Sequence, residues 1–271
     1  MYKFIFSAFG DEISSSLDEQ IEVLKKHGIE YLEFRSANGK NIADYTENEA
    51  KEILEKLKDS GIKVSAIGSP IGKVDVNCDF ERYLELFKHI LHLAHILETK
   101  YVRIFSFYVP EGEEEKYTDV VIERLLKFTE IARKENLVLL HENEKEIYGS
   151  NAERCFKILS EINSPNLRAT FDPANFVQCK VEVYPHAFEL LKDYIEYVHI
   201  KDAKFSDGSV TVAGEGDGRI KDVIEALKRI HFCGFLSIEP HLNNNLPGGG
   251  PENFARAYRA IKKIIDGEGE I

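Results

Sequence analysis

The chain has 271 residues, and Lys plus Arg total 35 against 47 for Asp plus Glu, so its formal net charge is −12. Hydrophobic residues make up 43% of the sequence, which supplies a sizeable core and excludes a disordered chain. Nucleic-acid binding gains most of its affinity from Lys and Arg on phosphates, and the sequence shows no basic stripe. We therefore expect no nucleic-acid partner.

The four cysteines, Cys78, Cys155, Cys179 and Cys233, are far apart and form no C-x-x-C pair. This spacing is typical of reduced thiols in a cytoplasmic protein and argues against zinc fingers and disulfide frameworks. The amino terminus carries no recognisable signal peptide, and no apolar run approaches the roughly 20 residues that cross a bilayer. We expect a cytoplasmic protein with no membrane partner. The sequence leaves open whether the protein forms a homo-oligomer.

Short apolar runs alternate with stretches of helical periodicity along the chain. The first strand is predicted over 4–9 and the first helix over 17–28. The next helix, 46–61, begins with a capping box of Thr46 and Glu49 and ends at Gly61. Later helices are predicted over 80–97 and 113–135. The other strands are predicted over 31–35, 63–68, 101–107, 137–142, 167–171, 197–200 and 235–239.

Eight strands alternating with helices, in a chain close to the roughly 250 residues typical of the fold, predict a (β/α)8 TIM barrel. We expect residues 1–271 to form this single domain. The alternative, a doubly wound open sheet, usually has a glycine-rich phosphate turn after its first strand, and that turn here reads Ser7-Ala8-Phe9-Gly10-Asp11. Glycine-rich segments at 214–218 and 247–251 are predicted to be the most flexible loops.

Active sites of TIM barrels lie at the carboxyl ends of the strands, and the last four predicted strands all end in polar residues. Glu142 ends the fifth strand, Asp172 follows the sixth, His199 lies in the seventh and Glu239 ends the eighth. One such acid is ordinarily a solvated loop residue or a helix cap, but closure of the barrel would bring all four together. Three carboxylates and an imidazole suit one divalent cation, with Mn²⁺ or Mg²⁺ expected first and Co²⁺ or Zn²⁺ as alternatives. Glu144 competes with Glu142, which is closer to the apolar run.

Other polar residues are candidates for substrate contact. Glu33 and Arg35 alternate with apolar neighbours and could point into the barrel mouth as a pair, although a buried structural ion pair is an equal alternative. Asn175 is either a turn residue or a hydrogen-bonding group beside the metal. Lys201 and His241 follow the seventh and eighth strands, and we include both among the expected substrate-binding residues.

Three lysines are candidates for a phosphate contact, namely Lys73, Lys201 and Lys204. Phosphate sites usually show a glycine-rich P-loop or a run of basic residues, and the sequence has neither. The sequence therefore gives no support for a phosphate group on the substrate.

Four motifs carry a resemblance to a known family. They read His-Glu-Asn-Glu at 141–144, Phe-Asp-Pro-Ala-Asn at 171–175, His-Ile-Lys-Asp at 199–202 and Ile-Glu-Pro-His at 238–241. Over its whole length the chain resembles the xylose isomerase-like TIM barrels, also called the AP endonuclease family 2 fold. Within that fold it is similar to the sugar phosphate isomerases and epimerases, including the ketose 3-epimerases.

The resemblance implies one divalent metal held by Glu142, Asp172, His199 and Glu239. It also implies that the two glutamates move the substrate proton. Asn175 stands where this family often has a histidine near the substrate, and Phe205 stands where the ketose 3-epimerases have an arginine. The resemblance therefore implies the reaction type more strongly than the identity of the sugar.

We expect a metal-dependent isomerase or epimerase that removes a proton next to a carbonyl on a small ketose or polyol derivative. Such a reaction creates an enediolate, whose charge a cation stabilises, and carboxylates on the two faces of the sugar would take and return the proton. Three alternatives stay open: a metal-dependent keto-cyclitol dehydratase, an endonuclease IV-like DNA repair enzyme, and a noncatalytic sugar-binding barrel.

Overall fold

The computed structural model describes residues 1–242 and 248–267, and within them eight parallel strands form a barrel. The strands are β1 (Lys3–Ala8), β2 (Tyr31–Phe34), β3 (Lys63–Gly68), β4 (Tyr101–Ile104), β5 (Val138–Glu142), β6 (Leu167–Phe171), β7 (Ile195–Ile200) and β8 (Cys233–Ile238). Each strand pairs with its sequence neighbour, and β8 pairs with β1. A parallel bridge between Phe9 and Glu33 joins β1 to β2 and completes the circle. The predicted TIM barrel is confirmed.

Nine α-helices lie in the described part of the chain. They are α1 (Leu17–Lys26), α2 (Glu47–Ser60), α3 (Phe80–Ile96), α4 (Thr118–Lys134), α5 (Ala152–Ile162), α6 (Pro173–Gln178), α7 (Phe188–Leu191), α8 (Ile220–Arg229) and α9 (Gly249–Asp266). Helix α2 begins with the predicted capping box, in which Thr46 and Glu49 bond to each other's backbone, and ends at Gly61 with φ of 79°. No helix among these residues is long and apolar enough to cross a membrane.

Strand β4 is shorter than predicted, because the chain leaves the barrel after Ile104. The backbone N–H of Phe105 donates to the carbonyl of Ile71, and that of Phe107 donates to the carbonyl of Gly72. Residues 105–107 therefore pair with the loop that follows β3 instead of extending the strand. This exchange brings Phe105 and the 71–74 loop together at the carboxyl end of the barrel.

Side chains fill the inside of the barrel below its mouth. The hydroxyl of Ser65 lies 2.6 Å from that of Ser7 and 2.8 Å from that of Tyr197, so these groups satisfy one another. Leu140, Ala66 and Tyr197 pack together in the same interior. Because the barrel is a packed core and not a pore, a ligand site has room only at the mouth.

The glycine-rich segment 214–218 is held in place by one buried carboxylate, which differs from the expectation of a flexible loop. Asp202 follows β7 and is fully buried. Its two oxygens accept hydrogen bonds from the backbone N–H groups of Ala203, Gly214, Gly216 and Gly218 at 2.8–3.1 Å. A Cβ atom on Gly218 would lie 2.6 Å from Asp202 Oδ1, so glycine permits this close approach. Of the second predicted flexible loop, Pro247 lies outside the described residues and Gly249 begins α9.

We expect Asp202→Ala to lower the free energy of unfolding by about 2–4 kcal/mol, because four backbone donors lose a charged acceptor. Thermal melting should show a decrease in Tm of roughly 5–10 °C for a chain of this size. Asp207→Ala is the matched control, since the exposed Asp207 accepts from the backbone of Ser209 in the same region. Equal decreases for the two variants would contradict the role assigned to Asp202.

Candidate metal centre

Four residues from consecutive strands meet in a buried cluster at the mouth of the barrel. Glu142, Asp172, His199 and Glu239 are each at most 2% exposed, and one donor atom from each lies within 4.8 Å of the others. His199 Nδ1 is 3.0 Å from Glu142 Oε1 and 3.7 Å from both Asp172 Oδ2 and Glu239 Oε2. The structure therefore brings together the four residues that the sequence predicts as metal ligands, and the group could hold one metal ion.

His199 turns one ring nitrogen toward the cluster and the other away from it. Its Nδ1 faces the three carboxylates, and its Nε2 lies 3.2 Å from Glu33 Oε2. Glu33 is fully buried behind the ring, so it is not placed to contact a substrate as the sequence analysis expects. A carboxylate in this position fixes the orientation and tautomer of a metal-binding histidine.

Asp172 presents one fixed and one open oxygen. Its Oδ1 accepts from the backbone N–H of Asn175 and caps α6, while the side chain of Asn143 bonds both backbone groups of Asp172 at 2.9 Å. Its Oδ2 is buried and accepts no well-aligned hydrogen bond from the described residues, although Lys201 Nζ lies 3.0 Å away. Lys201 offsets the charge of this oxygen but forms no well-aligned hydrogen bond with it, so Oδ2 is the atom of Asp172 that a metal ion would contact. The donor set therefore fits a divalent cation.

An arginine holds each of the two glutamates. Arg103 lies 3.0 Å from Glu142 Oε2, and Arg35 lies 2.9 Å from Glu239 Oε1. The other oxygens, Glu142 Oε1 and Glu239 Oε2, face His199. Asn175 also donates to Glu142 Oε1 at 3.1 Å. Of the two alternatives for Asn175, the structure therefore supports a hydrogen-bonding group beside the cluster and not only a turn residue. Each glutamate thus has one oxygen toward the cluster centre and one fixed by a guanidinium.

The expected pair of Glu33 with Arg35 is wrong. The guanidinium of Arg35 instead contacts Asp11 at 2.7 Å, Glu12 at 2.6 Å and Glu239 at 2.9 Å. Arg35 follows the last residue of β2, where the loops after β1 and β8 are its neighbours. The partners of Arg35 are therefore set by strand order around the barrel and not by the alternation within β2.

The charges around the cluster keep its glutamates ionised. Burial raises the pKa of Glu142, but the charges of His199 and Arg103 outweigh it and hold that pKa at about 2. Burial also raises the pKa of Glu239, and the opposing charges of Lys201 and His241 bring it well below its usual range. Carboxylates that remain charged in a buried site are suited to binding a cation.

The cluster opens on a pocket of about 160 Å³. Glu142 and Glu239 line this pocket, whereas Asp172 and His199 lie behind its wall. Lys201 and His241 also line it, as the sequence analysis expects of substrate-binding residues. The pocket wall therefore contains two of the four clustered residues together with basic side chains.

Four basic residues line the pocket, namely Arg35, Lys73, Arg103 and Lys201, although no two of them are adjacent in the sequence. The sequence analysis names Arg35, Lys73 and Lys201 among its candidates and misses Arg103. Arg103 was detectable, because Tyr101, Arg103 and Phe105 alternate with apolar residues and a charge on that face is unusual for a barrel strand. The order of the strands around the barrel, which cannot be read from the sequence, brings the other three cations to the same pocket.

A second acidic group overlaps the first and already contains a cation. Glu12, Glu239 and His241 also lie within 4.8 Å of one another. The guanidinium of Arg35 bonds both glutamates of this group. Arg35 therefore supplies positive charge where a second metal ion would otherwise have to lie.

The family model described as the xylose isomerase-like TIM barrel matches residues 21–264. The chain belongs to the xylose isomerase-like TIM barrel family. A curated relative, an uncharacterised protein of Methanocaldococcus jannaschii, is 22% identical over 250 residues, which cover 84% of this chain and 80% of that protein.

Several solved structures share this architecture. The IolI protein with a bound zinc atom has a TM-score of 0.81 and 18% identity, and the match covers 99% of this chain and 100% of that one. A D-tagatose 3-epimerase-like protein has a TM-score of 0.77 and 19% identity, with 97% of each chain covered. The probable 3-DHS dehydratase AsbF of Bacillus anthracis has a TM-score of 0.73 and 16% identity, with 97% and 99% covered. At these identities the likeness shows the fold.

We expect Asp172→Asn to weaken Mn²⁺ binding by about 100-fold or more, because a neutral amide replaces a charged ligand, and changes behind the ligands alone cost about 10–100-fold. The amide oxygen can still cap α6, so the melting temperature should stay close to that of the parent chain. Equilibrium dialysis with metal analysis measures the affinity. Asp193→Asn makes the same charge change at an exposed position between α7 and β7 and should leave Mn²⁺ binding intact. Unchanged binding by Asp172→Asn would contradict the assignment.

Glu33→Gln should weaken Mn²⁺ binding by about 10–100-fold, because the ring of His199 loses its charged partner while keeping a hydrogen-bond acceptor. The matched control is Glu196→Gln. Glu196 lies on the same strand as His199, but its carboxylate accepts a hydrogen bond from the hydroxyl of Tyr101. The same dialysis measurement applies. If both variants bind Mn²⁺ like the parent chain, Glu33 does not position the ligand.

Proposed function

We propose that this chain is a metal-dependent isomerase or epimerase that moves a proton on the carbon next to the carbonyl of a small ketose or polyol derivative. One observation carries the proposal. Of the four clustered residues, only Glu142 and Glu239 also line the pocket. A metal site that exposes two carboxylates to a bound molecule supports proton transfer better than a purely structural role.

In this proposal Glu142, Asp172, His199 and Glu239 hold one divalent ion. Carboxylate-rich coordination favours Mn²⁺ or Mg²⁺, and the zinc named for the IolI structure keeps Zn²⁺ as an alternative. When bound, such an ion supplies positive charge that stabilises negative charge developing on the carbonyl oxygen of the substrate.

The two glutamates reach the pocket from different sides. Glu142 ends β5 and Glu239 follows β8, and β6 and β7 separate these two strands in the barrel. One carboxylate removes the proton, and the other returns a proton to the opposite face, which inverts the carbon. Return from the same side to the neighbouring carbon gives isomerisation instead. Arg103 and Arg35 hold the two carboxylates in fixed orientations.

The pocket size supports a small substrate. Its volume of about 160 Å³ is below the roughly 300–1,000 Å³ of common ligand pockets. The endonuclease alternative requires further metal ions and ligands. In the second acidic group, Glu12, Glu239 and His241, the guanidinium of Arg35 bonds both glutamates and supplies the positive charge instead of a metal ion. The absence of a nucleic-acid partner and the cytoplasmic location stay predictions.

A keto-cyclitol dehydratase is the second candidate, and Lys201 favours it. Its ammonium is 4% exposed, lines the pocket and lies 2.9 Å from Glu239 Oε2. Burial lowers the pKa of Lys201, but the charges of Asp172 and Glu239 outweigh it and raise that pKa above its usual range. The ammonium therefore stays charged and could stabilise a departing hydroxyl group by a hydrogen bond. Dehydration begins with the same proton removal and differs in the loss of water that follows.

The decisive experiment measures solvent exchange. Mn²⁺-loaded protein is incubated in deuterated water with ketoses and keto-cyclitols, and the products are analysed by NMR and mass spectrometry. Deuterium at the carbon next to the carbonyl, with the mass otherwise unchanged, supports the isomerase or epimerase. Loss of water identifies the dehydratase, and no exchange with any compound supports the noncatalytic barrel.

Glu142→Gln and Glu239→Gln should each lower turnover by about 10²–10⁴-fold, because each removes a base while keeping its size. In an epimerase, each variant retains exchange from the face of the surviving glutamate and loses inversion. Glu161→Gln is the control, since Glu161 pairs with Lys157 on α5 and is not among the residues that line the pocket. Full activity in both cluster variants would place the base elsewhere.

A further inference from the structure

Four basic side chains line the pocket, namely Arg35, Lys73, Arg103 and Lys201. Each has at least one carboxylate partner in the protein at 3.0 Å or less: Asp11, Glu12 and Glu239 for Arg35, Glu144 for Lys73, Glu142 for Arg103, and Asp172 and Glu239 for Lys201. A substrate group that binds here therefore meets charges that are already paired, and the donors that these pairs leave free decide what it can be.

Two of these cations pack against the ring of Phe105. Lys73 Nζ lies 4.3 Å from the centre of the Phe105 ring, and the guanidinium carbon of Arg103 lies 4.6 Å from the same centre. This arrangement results from the pairing of residues 105–107 with the loop after β3. Phe105 thus gives both cations a common support on the wall next to Glu142.

Arg103 has an unused donor. Its NH1 group donates to Glu142 and its NH2 group to the carbonyl of Ser69. Its Nε is buried and has no hydrogen-bond partner within residues 1–242 and 248–267. The side chain is only 6% exposed. Buried donors of this kind are rarely left unsatisfied, so the atom indicates a missing acceptor.

We propose that the substrate of this site carries a carboxylate, bound between Lys73 and Arg103 while the carbonyl end lies at the four-residue cluster. This inference rests on the proposed function. Lys73 Nζ and Arg103 Nε supply two donors, which matches the two oxygens of a carboxylate. A phosphate group has three terminal oxygens and usually takes backbone N–H groups at a helix start, and no helix of eight or more residues begins among the pocket residues.

Lys73 also has a carboxylate partner inside the protein. Its Nζ lies 3.0 Å from Glu144 Oε2, and Glu144 lines the same pocket. Lys73 is partly exposed, so exchange of one carboxylate for another costs little desolvation. A substrate carboxylate at Lys73 would take the place of Glu144.

The test uses three probes that differ only at the terminal carbon remote from the ketone: D-fructose, D-fructuronate and the terminal phosphate ester of D-fructose. Calorimetry with Mn²⁺-loaded protein gives a Kd for each without requiring turnover. We expect D-fructuronate to bind about 10–100-fold more tightly than D-fructose, and more tightly than the phosphate ester. Equal binding of D-fructose and D-fructuronate, tighter binding of the phosphate ester, or no measurable binding of D-fructuronate would overturn the proposal.

Lys73→Met should weaken D-fructuronate binding by about 10-fold or more and leave D-fructose binding and Mn²⁺ content unchanged, and Lys73→Arg should restore most of the loss. Lys204→Met makes the same charge change outside the pocket and is the control. Arg103→Lys keeps the charge but removes Nε, and it should also weaken D-fructuronate binding. Equal effects of Lys73→Met and Lys204→Met would overturn the proposal. Selective D-fructuronate binding without deuterium exchange would instead overturn the proposed function and leave this inference intact.

Discussion

The mouth of this barrel has to bury three carboxylates within a few ångströms of one another. Glu142, Asp172 and Glu239 are each at most 2% exposed, and unpaired charges in such a place cost several kcal/mol each. Their neighbours offset that cost, since an arginine holds each glutamate and Lys201 lies beside both Asp172 and Glu239. Much of the remaining site follows from this constraint, because the cations that permit the cluster also form the wall of the pocket.

The same contacts tie the loops of the mouth to one another. Arg35 joins the loop after β2 to Asp11 and Glu12 after β1 and to Glu239 after β8. Asn143 bonds both backbone groups of Asp172 and so joins β5 to β6. These contacts hold the clustered side chains in place relative to one another. Such preorganisation lowers the cost of holding a cation and a substrate in one geometry.

The sequence predicts what depends on local pattern. The bounds of β3 and β6 agree with their apolar runs, and the residues at four consecutive strand ends do meet in one place. It does not predict contacts that depend on strand order. Apolar residues after Ile104 looked like more strand, yet they pair with the loop after β3. Arg35 looked like the partner of Glu33, yet its partners come from strands that are neighbours only in the closed barrel. The assignment of the clustered residues as ligands stays a prediction until metal binding is measured.

Isomerisation, epimerisation and dehydration begin with the same removal of a proton next to a carbonyl, so a shared fold and a shared cluster do not decide among them. The group that acts on the intermediate after proton removal decides which product forms. A second carboxylate on the opposite face gives inversion, whereas an acid beside a hydroxyl group gives loss of water. In this chain Glu239 lies between Lys201 on one side and Arg35 with His241 on the other. The outcome therefore depends on which of these groups the substrate oxygen meets, and that is set by how the remote end of the substrate is anchored in the pocket.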